Sequence, residues 1–341
     1  MANYELAQMQ GDALIVAATI NEIEQLNAED GETWHRAQTD AASYIDSLYN
    51  EFVPNIEPQA RSLGKALGSV GLALAEIRYG RDEHHPKLYS GSYEHNVLAT
   101  YHHGAHPRRF LHGMLQYMAA INVIRPGTYD DIALSQSPGI AGLHDGIMGN
   151  GRGNDERQSG LLAAVMMPGM GFSSGAVETT LAAIDATTWS DEQRAQAVDA
   201  AKPHIIYQRA AGVGDLFSLF TRRGPYETAC LGVEELCKQS HGQIFTQEAY
   251  TRGFPLEGTP IDECMEFIDK SEALQAAFGG FMQGQSTFYH DFAPADPALD
   301  DMFPGRTDNF GLMQEIDHAY RTGRFNAIGI LGVTRDYMQN D

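Results

Sequence analysis

Histidines crowd one part of this sequence: seven of the thirteen lie between residues 84 and 112, at His84, His85, His95, His102, His103, His106 and His112. The segment YHHGAHPRRF sets His102 and His106 four residues apart, with Arg108 and Arg109 just beyond. Further on, the apolar run GIAGL closes on the dipeptide His144-Asp145, and AAGVGDLFSLF carries a single acid, Asp215, after a Gly-Val-Gly step. These are the residue types that bind divalent cations, which need several neutral imidazoles or carboxylates converging from separate parts of the chain. An acid in an apolar helical stretch also calls for a partner or a metal, because an unpaired buried charge is costly.

Taken one at a time, each feature has a plainer explanation. A histidine on a loop is usually solvated, and His-Asp dipeptides arise by chance. Asp215 could cap a helix, since the glycines before it suit a helix start. GNGRGN, after the HD pair, is neither a dinucleotide fingerprint nor a P-loop, for no convincing strand precedes it and GK[ST] is missing.

Their order gives them weight together. His, then His-Asp, then Asp, all within helical sequence, resembles the HD-domain superfamily of metal-dependent phosphohydrolases. YHHGAH resembles the YHNxxH element of cyclic-nucleotide phosphodiesterases, and GNDERQSG looks like the NEERSA segment of bacterial predicted metal-dependent HD phosphohydrolases. ETTLAAIDAT and VGDLFSLF are similar to the helix and the last acidic segment of that bacterial group, so the resemblance spans roughly residues 93–220. It implies an all-α fold, an HD-domain helical bundle with additional N- and C-terminal helices, and a bound divalent metal (Mn, Mg, Fe, Ni or Co). Matched residue by residue, it makes His106, His144, Asp145 and Asp215 the metal ligands. It gives His102 the place of a general acid, and sets Glu156 in the charged segment as a catalytic carboxylate. The chain departs from the pattern in three places. His103 stands where YHNxxH has Asn and so competes with its neighbours for a role. Pro107 disfavours helical backbone at the residue before it, which puts His106 at or before a helix start. The insertion GIMGNGRGN sets Glu156 farther from Asp145 than a tight HDxxE would.

The chemistry suits these residue types. A cation held by two histidines and two aspartates neutralises phosphate charge and acidifies a coordinated water. Asp145 could also bridge to a second ion or orient that water. His102 needs only hydrogen-bond reach and a near-neutral pKa to protonate a leaving oxygen. Arg152, Arg157 and Arg108, with Arg109, are candidate phosphate clamps because guanidinium matches phosphate oxygens bidentately; a surface ion pair is the competing use for each. The leading expectation is a metal-dependent phosphohydrolase of a small phosphate ester or nucleotide. Beside it stands an HD-fold di-iron oxygenase of a small polar substrate, which calls for further His ligands before Asp215 and finds only His204. The third reading is a non-catalytic HD scaffold for ligand sensing or partner binding.

Helices must position all of this. Apolar residues recur at three- and four-residue spacing from about Ala13 to Ala75, and Pro54 and Pro58 punctuate that region. RDEHHPKLYSGSYEHN reads as a polar loop, and RFLHGMLQYMAAINVI as a helix stopped by RPG. SGLLAAVMM, GAVETTLAAIDAT and HIIYQRAAGVGDLFSLF read as further helices, and Ser190 as an N-cap. After Thr221 come PYETACLGVEELCKQS, a long amphipathic run from Ile261 to Phe292, a Pro/Asp-rich loop and a closing helix around GLMQEIDHAYRTG. The expected blocks are residues 1–85 as an N-terminal helical region, 86–225 as the core and 226–341 as a C-terminal helical region.

The 341 residues suffice for a sizeable core, and a net charge of −22 argues against a sequence-independent grip on nucleic acid. A small anionic substrate is not excluded, since it feels only the local field of its pocket. Cys230, Cys237 and Cys264 form no CxxC pair, which points to a reducing compartment. The first residues carry neither a basic n-region nor a long apolar run, so the expectation is a soluble, cytoplasmic protein with no membrane partner. The flanking helical blocks are candidates for a homodimer interface.

Overall fold

The computed structural model describes residues 2–29, 31–90, 96–150, 153–188, 205–217, 221–237, 239–256, 258–291 and 305–339. These residues form fourteen α-helices and one two-stranded hairpin, so the chain is all-α as its periodicity indicates. They divide into two compact units, Met1–Arg78 with Pro107–Asp215, and Tyr79–His106 with Leu216–Asp341. Each unit is thus built from two separate stretches of chain, whereas the sequence reading set three consecutive blocks. Among the described residues no helix is long and apolar enough to cross a membrane.

The first unit holds α1 (Ala2–Glu29), α2 (Gly31–Phe52), α3 (Pro58–Tyr79, all but its last residue), α4 (Ala105–Ile124, from Pro107), α5 (Asp131–Leu143), α6 (Asn154–Met170), α7 (Ser174–Asp185) and α8 (Ile205–Asp215). Helix α5 is its centre. Asp130 caps it by accepting from the Ala133 N–H at 2.9 Å, and every residue from Ala133 to Leu143 is buried. A helix buried all round has to be enclosed by others, and glycines let α3 come close. Gly64, Gly68 and Gly71 occupy one face of α3. A Cβ on Gly71 would lie 2.6 Å from the Gly142 carbonyl carbon, and one on Gly68 2.2 Å from Pro138 Cβ. Pro138 has no N–H to offer the Leu134 carbonyl one turn back. The buried Tyr49 hydroxyl donates to that carbonyl at 3.1 Å instead, joined by Ser137 Oγ at 3.2 Å.

In the second unit β1 (Leu88–Ser90) pairs antiparallel with β2 (Asn96–Leu98), with Tyr89 opposite Val97. The polar connector read as a loop therefore contains a short hairpin, too brief to show as alternation. The remaining helices are α9 (Gly224–Cys237), α10 (Gln239–Arg252), α11 (Ile261–Ile268), α12 (Glu272–Asp291), α13 (Gly305–Arg321) and α14 (Ala327–Gln339). Tyr226, Phe245, Phe267, Phe278, Ile316 and Leu331 belong to their common core. The long run from Ile261 is two helices, broken where Ser271 Oγ accepts from Leu274 N–H. At that break the Asp269 carboxylate accepts the Ala327 and Ile328 N–H groups at 2.8 and 3.0 Å, capping α14. The helix around GLMQEIDHAYRTG, expected to close the chain, is α13, and α14 after it had no counterpart in the sequence reading. Ser190 and His204 lie outside the described residues, as do His95 and Arg152.

Candidate metal centre

In the first unit α5 delivers the HD pair. His144 is the C-cap of α5, its N–H donating to the Ile140 carbonyl at 3.0 Å, and its side chain is 2% exposed. Its ring is anchored from one side: Nδ1 lies 2.8 Å from the Ala141 carbonyl, which only an N–H can satisfy. Nε2 therefore faces the acids, 2.8 Å from Asp145 Oδ2 and 3.8 Å from Asp215 Oδ1. Phe110, on α4, lies against the other side of the ring with centroids 4.5 Å apart.

Asp215 is the last residue of α8, so it closes a helix rather than capping the start of one. Gly214 brings it in. A Cβ at that residue would lie 2.7 Å from the Phe110 ring and 2.8 Å from the Phe110 carbonyl oxygen, so only glycine lets α8 approach α4 this closely. Burial works against an imidazolium at His144, but the carboxylates of Asp145 and Asp215 override it and push His144 up to about 9. The pocket of charge around Nε2 thus favours a positive species.

In the second unit the histidines of YHHGAH separate into three uses. His102 Nδ1 lies 2.7 Å from Glu234 Oε1, while the Tyr101 and His102 backbone N–H groups both donate to Glu234 Oε2 at 3.0 Å. The Tyr89 hydroxyl adds a fourth bond to Oε1 at 3.2 Å, and the Glu234 side chain is fully buried on α9. Sequence reasoning missed Glu234, because nothing in GVEELCKQS announces that an acid there will meet a histidine 132 residues away.

His103 is committed on both ring nitrogens. Nδ1 accepts from Ala105 N–H at 3.2 Å at the start of α4, and Nε2 lies 3.2 Å from Glu83 Oε2. Burial would raise the Glu83 carboxyl, but His103 and the nearby Arg223 guanidinium hold it well below the usual carboxylate range. That arrangement takes His103 out of the choice among the three histidines. His106 is the second residue of α4 and 3% exposed, at the helix start that Pro107 demands, with its ring 5.4 Å from that of His102. Pro107 itself sits in the first turn, where a missing N–H removes no helical bond.

The other expected residues of the first unit are engaged elsewhere. Glu156 Oε2 accepts the Gly153 N–H at 2.6 Å, the N3 half of a capping box on α6, while burial pushes its carboxyl above the ordinary value. Arg157 makes two 2.9 Å bonds to the Asp12 carboxylate on α1. Arg108 donates to Glu76 at 3.0 Å and lies over the Tyr44 ring. His112, the last of the crowded histidines, packs edge-on against Phe52.

Among the described residues, the His/Asp groups able to hold a metal ion are His144, Asp145 and Asp215 in the first unit and His102 and His106 in the second. His144 and Asp215 offer ligand atoms within 4.8 Å of each other, as do His102 and His106. The donor chemistry fits a borderline divalent cation: imidazole nitrogen with carboxylate oxygen, and an Nδ1 anchor that turns Nε2 toward the two carboxylates. Comparisons with family models, with curated proteins and with solved structures find no match to this chain.

Proposed function

We propose that the chain is a metal-dependent phosphohydrolase acting on a small phosphate ester or nucleotide. The observation that carries this reading is the buried His144 Nε2 set beside two carboxylates, with its ring oriented by the Ala141 carbonyl. His144, Asp145 and Asp215 are three of the ligands. His106, the second residue of α4, is the fourth ligand on the strength of the resemblance to the H…HD…D pattern. A divalent cation bound by these groups neutralises phosphate charge and acidifies water for attack on phosphorus.

The chain's own groups supply the rest. Asp145 and Asp215 bring the negative charge that retains the cation, and the Ala141 carbonyl fixes which imidazole nitrogen can reach it. His102, its Nδ1 held by Glu234, is the group that passes a proton to the leaving oxygen, the role its match to the YHNxxH element implies. Arg157 and Arg108 already answer carboxylates, so the metal is the principal source of positive charge for the phosphate.

Metal analysis of protein purified without added metal tests this, joined to a screen of phosphate monoesters and diesters with Mn, Mg, Fe, Ni and Co. The expected result is metal retained and an ester hydrolysed by the native chain, with both lost in Asp145→Ala while the far-UV spectrum stays helical. A folded chain that takes up none of these metals and hydrolyses nothing refutes the reading. So does a coupled di-iron signal with dioxygen uptake and no hydrolysis.

A further inference from the structure

The backbone just past the HD pair is gripped by a residue from another part of the first unit. Gly146 N–H donates to the Leu143 carbonyl at 2.9 Å, ending α5 in a tight turn. The Gly146 carbonyl is buried and receives Arg78 Nη1 at 2.6 Å. Arg78 comes from the far end of α3 and its side chain is 17% exposed. Its other guanidinium edges are held by α1: Nε by Glu22 Oε1 at 3.1 Å, Nη2 by Glu22 Oε2 at 2.5 Å and by Thr19 Oγ1 at 3.1 Å. One residue further, the Ile147 N–H donates to Ser159 Oγ at 3.0 Å.

We propose that Arg78 is a positioning residue for the metal ligands His144 and Asp145, an inference that rests on the metal reading above. A helix ends with carbonyls that lack intrahelical partners, and a cation there is favourable. Arg78 is such a cation just past the end of α5: it holds the carbonyl of the Gly146–Ile147 peptide, one beyond the peptide that follows Asp145, and so fixes the course of the chain as it leaves the HD pair. Its planar fork holds Gly146 and Glu22 at once, a task a single ammonium cannot copy. Glu22 matches the guanidinium charge, so the clamp sets geometry without leaving an unbalanced cation near the site. Helix α1 thereby becomes part of the support for the HD turn, through Thr19 and Glu22.

The test is Mn2+ titration by calorimetry and the Co2+ d–d absorption of the full metal-stripped chain, in Arg78→Met, Arg78→Lys and Glu22→Gln. Loss of an outer support of metal ligands costs about 10–100-fold in affinity. Arg78→Met is expected to bind Mn2+ that much more weakly and to change the intensity of the Co2+ bands, which report ligand geometry. Arg78→Lys should recover part of the affinity by keeping one donor on the Gly146 carbonyl. Glu22→Gln breaks the same ion pair but leaves the Gly146 bond, and should stay within about threefold of the native affinity. Should Arg78→Met fail to fold, Arg78→Lys must still bind more weakly than Glu22→Gln. Equal losses in the Arg78 and Glu22 variants, or native affinity and spectrum in Arg78→Met, overturn the proposal. A native chain that binds neither Mn2+ nor Co2+ overturns the metal reading itself, and this inference with it.

Discussion

Replacing Gly214 by alanine tests whether the approach of α8 to α4 is what places Asp215 at His144. The added Cβ meets two ring carbons of Phe110 at 2.7 and 2.8 Å and its carbonyl oxygen at 2.8 Å, and the carbonyl is backbone that cannot rotate away. Overpacking of this kind costs about 1–3 kcal/mol. Alanine returns at most ~1 kcal/mol of helix propensity, less so close to the end of α8. The net loss is about 1–2 kcal/mol, and at 2–4 °C per kcal/mol for a unit of this size the Tm falls by roughly 2–8 °C. Relief of the clash must move α8 outward, and Asp215 Oδ1, already 3.8 Å from His144 Nε2, moves with it. Thermal melts and Mn2+ titrations of the metal-stripped protein read both effects. Gly11→Ala, in the middle of α1 with nothing within 4 Å of its Cβ, is the control, expected to gain about 0.5–1 kcal/mol. If Gly214→Ala melts and binds Mn2+ as the native chain does, the close approach is not what sets the site, and the reasoning fails.

Two further outcomes follow from the hydrogen bonds. Glu234→Gln turns an amide N–H toward donors that now share a carboxylate, at a cost of about 1–3 kcal/mol; it should slow phosphate esters with alkyl leaving groups far more than nitrophenyl esters, which need no proton, and an equal loss on both removes His102 as the acid. Asp12 is held below its ordinary value of 3.8 by the hydrogen bonds of Arg157. Its contribution to stability is therefore complete above that value and is lost as pH falls through the depressed one. Asp12→Asn should cost about 1 kcal/mol at neutral pH, and its Tm deficit should vanish between about pH 5 and pH 2; a deficit constant across that range contradicts the assignment.

Much of the helical frame was legible because amphipathic spacing and Pro/Gly stops are local properties. The helix through Met114 ends at Ile124, just before the RPG turn, and Pro107 sits in the first turn of α4. What was not legible is contact between distant segments. GIAGL looked like a generic apolar lead-in, yet Gly142 is there because α3 crosses it at Gly71 with no room for a side chain. Arg157 and Arg108 had the charge for phosphate, but their partners Asp12 and Glu76 lie 145 and 32 residues away, and no spacing rule connects them. Glu156 sits at N3 of its helix, which a capping-box pattern would have shown had Gly153 carried a side-chain oxygen. The hairpin escaped because strands of three residues hold less than two periods of alternation.

The arrangement around His144 is hard to explain by stability. A buried ion pair is often no better than packed hydrophobic residues of equal volume, because desolvation offsets the attraction. Here the pair is placed at the end of a helix buried from Ala133 onward, beside Phe110, where a leucine would pack without any charge to satisfy. Three separate devices maintain it nonetheless: the Ala141 carbonyl that orients the ring, Gly214 that admits Asp215, and Arg78 that holds the Gly146 carbonyl just past the pair. Each fixes an atom position rather than adding apolar contact. A core that needed only cohesion would keep none of them, whereas a cation bound between Nε2 and two carboxylates needs all three, since ligand atoms displaced by a fraction of an ångström lose much of their hold on the ion.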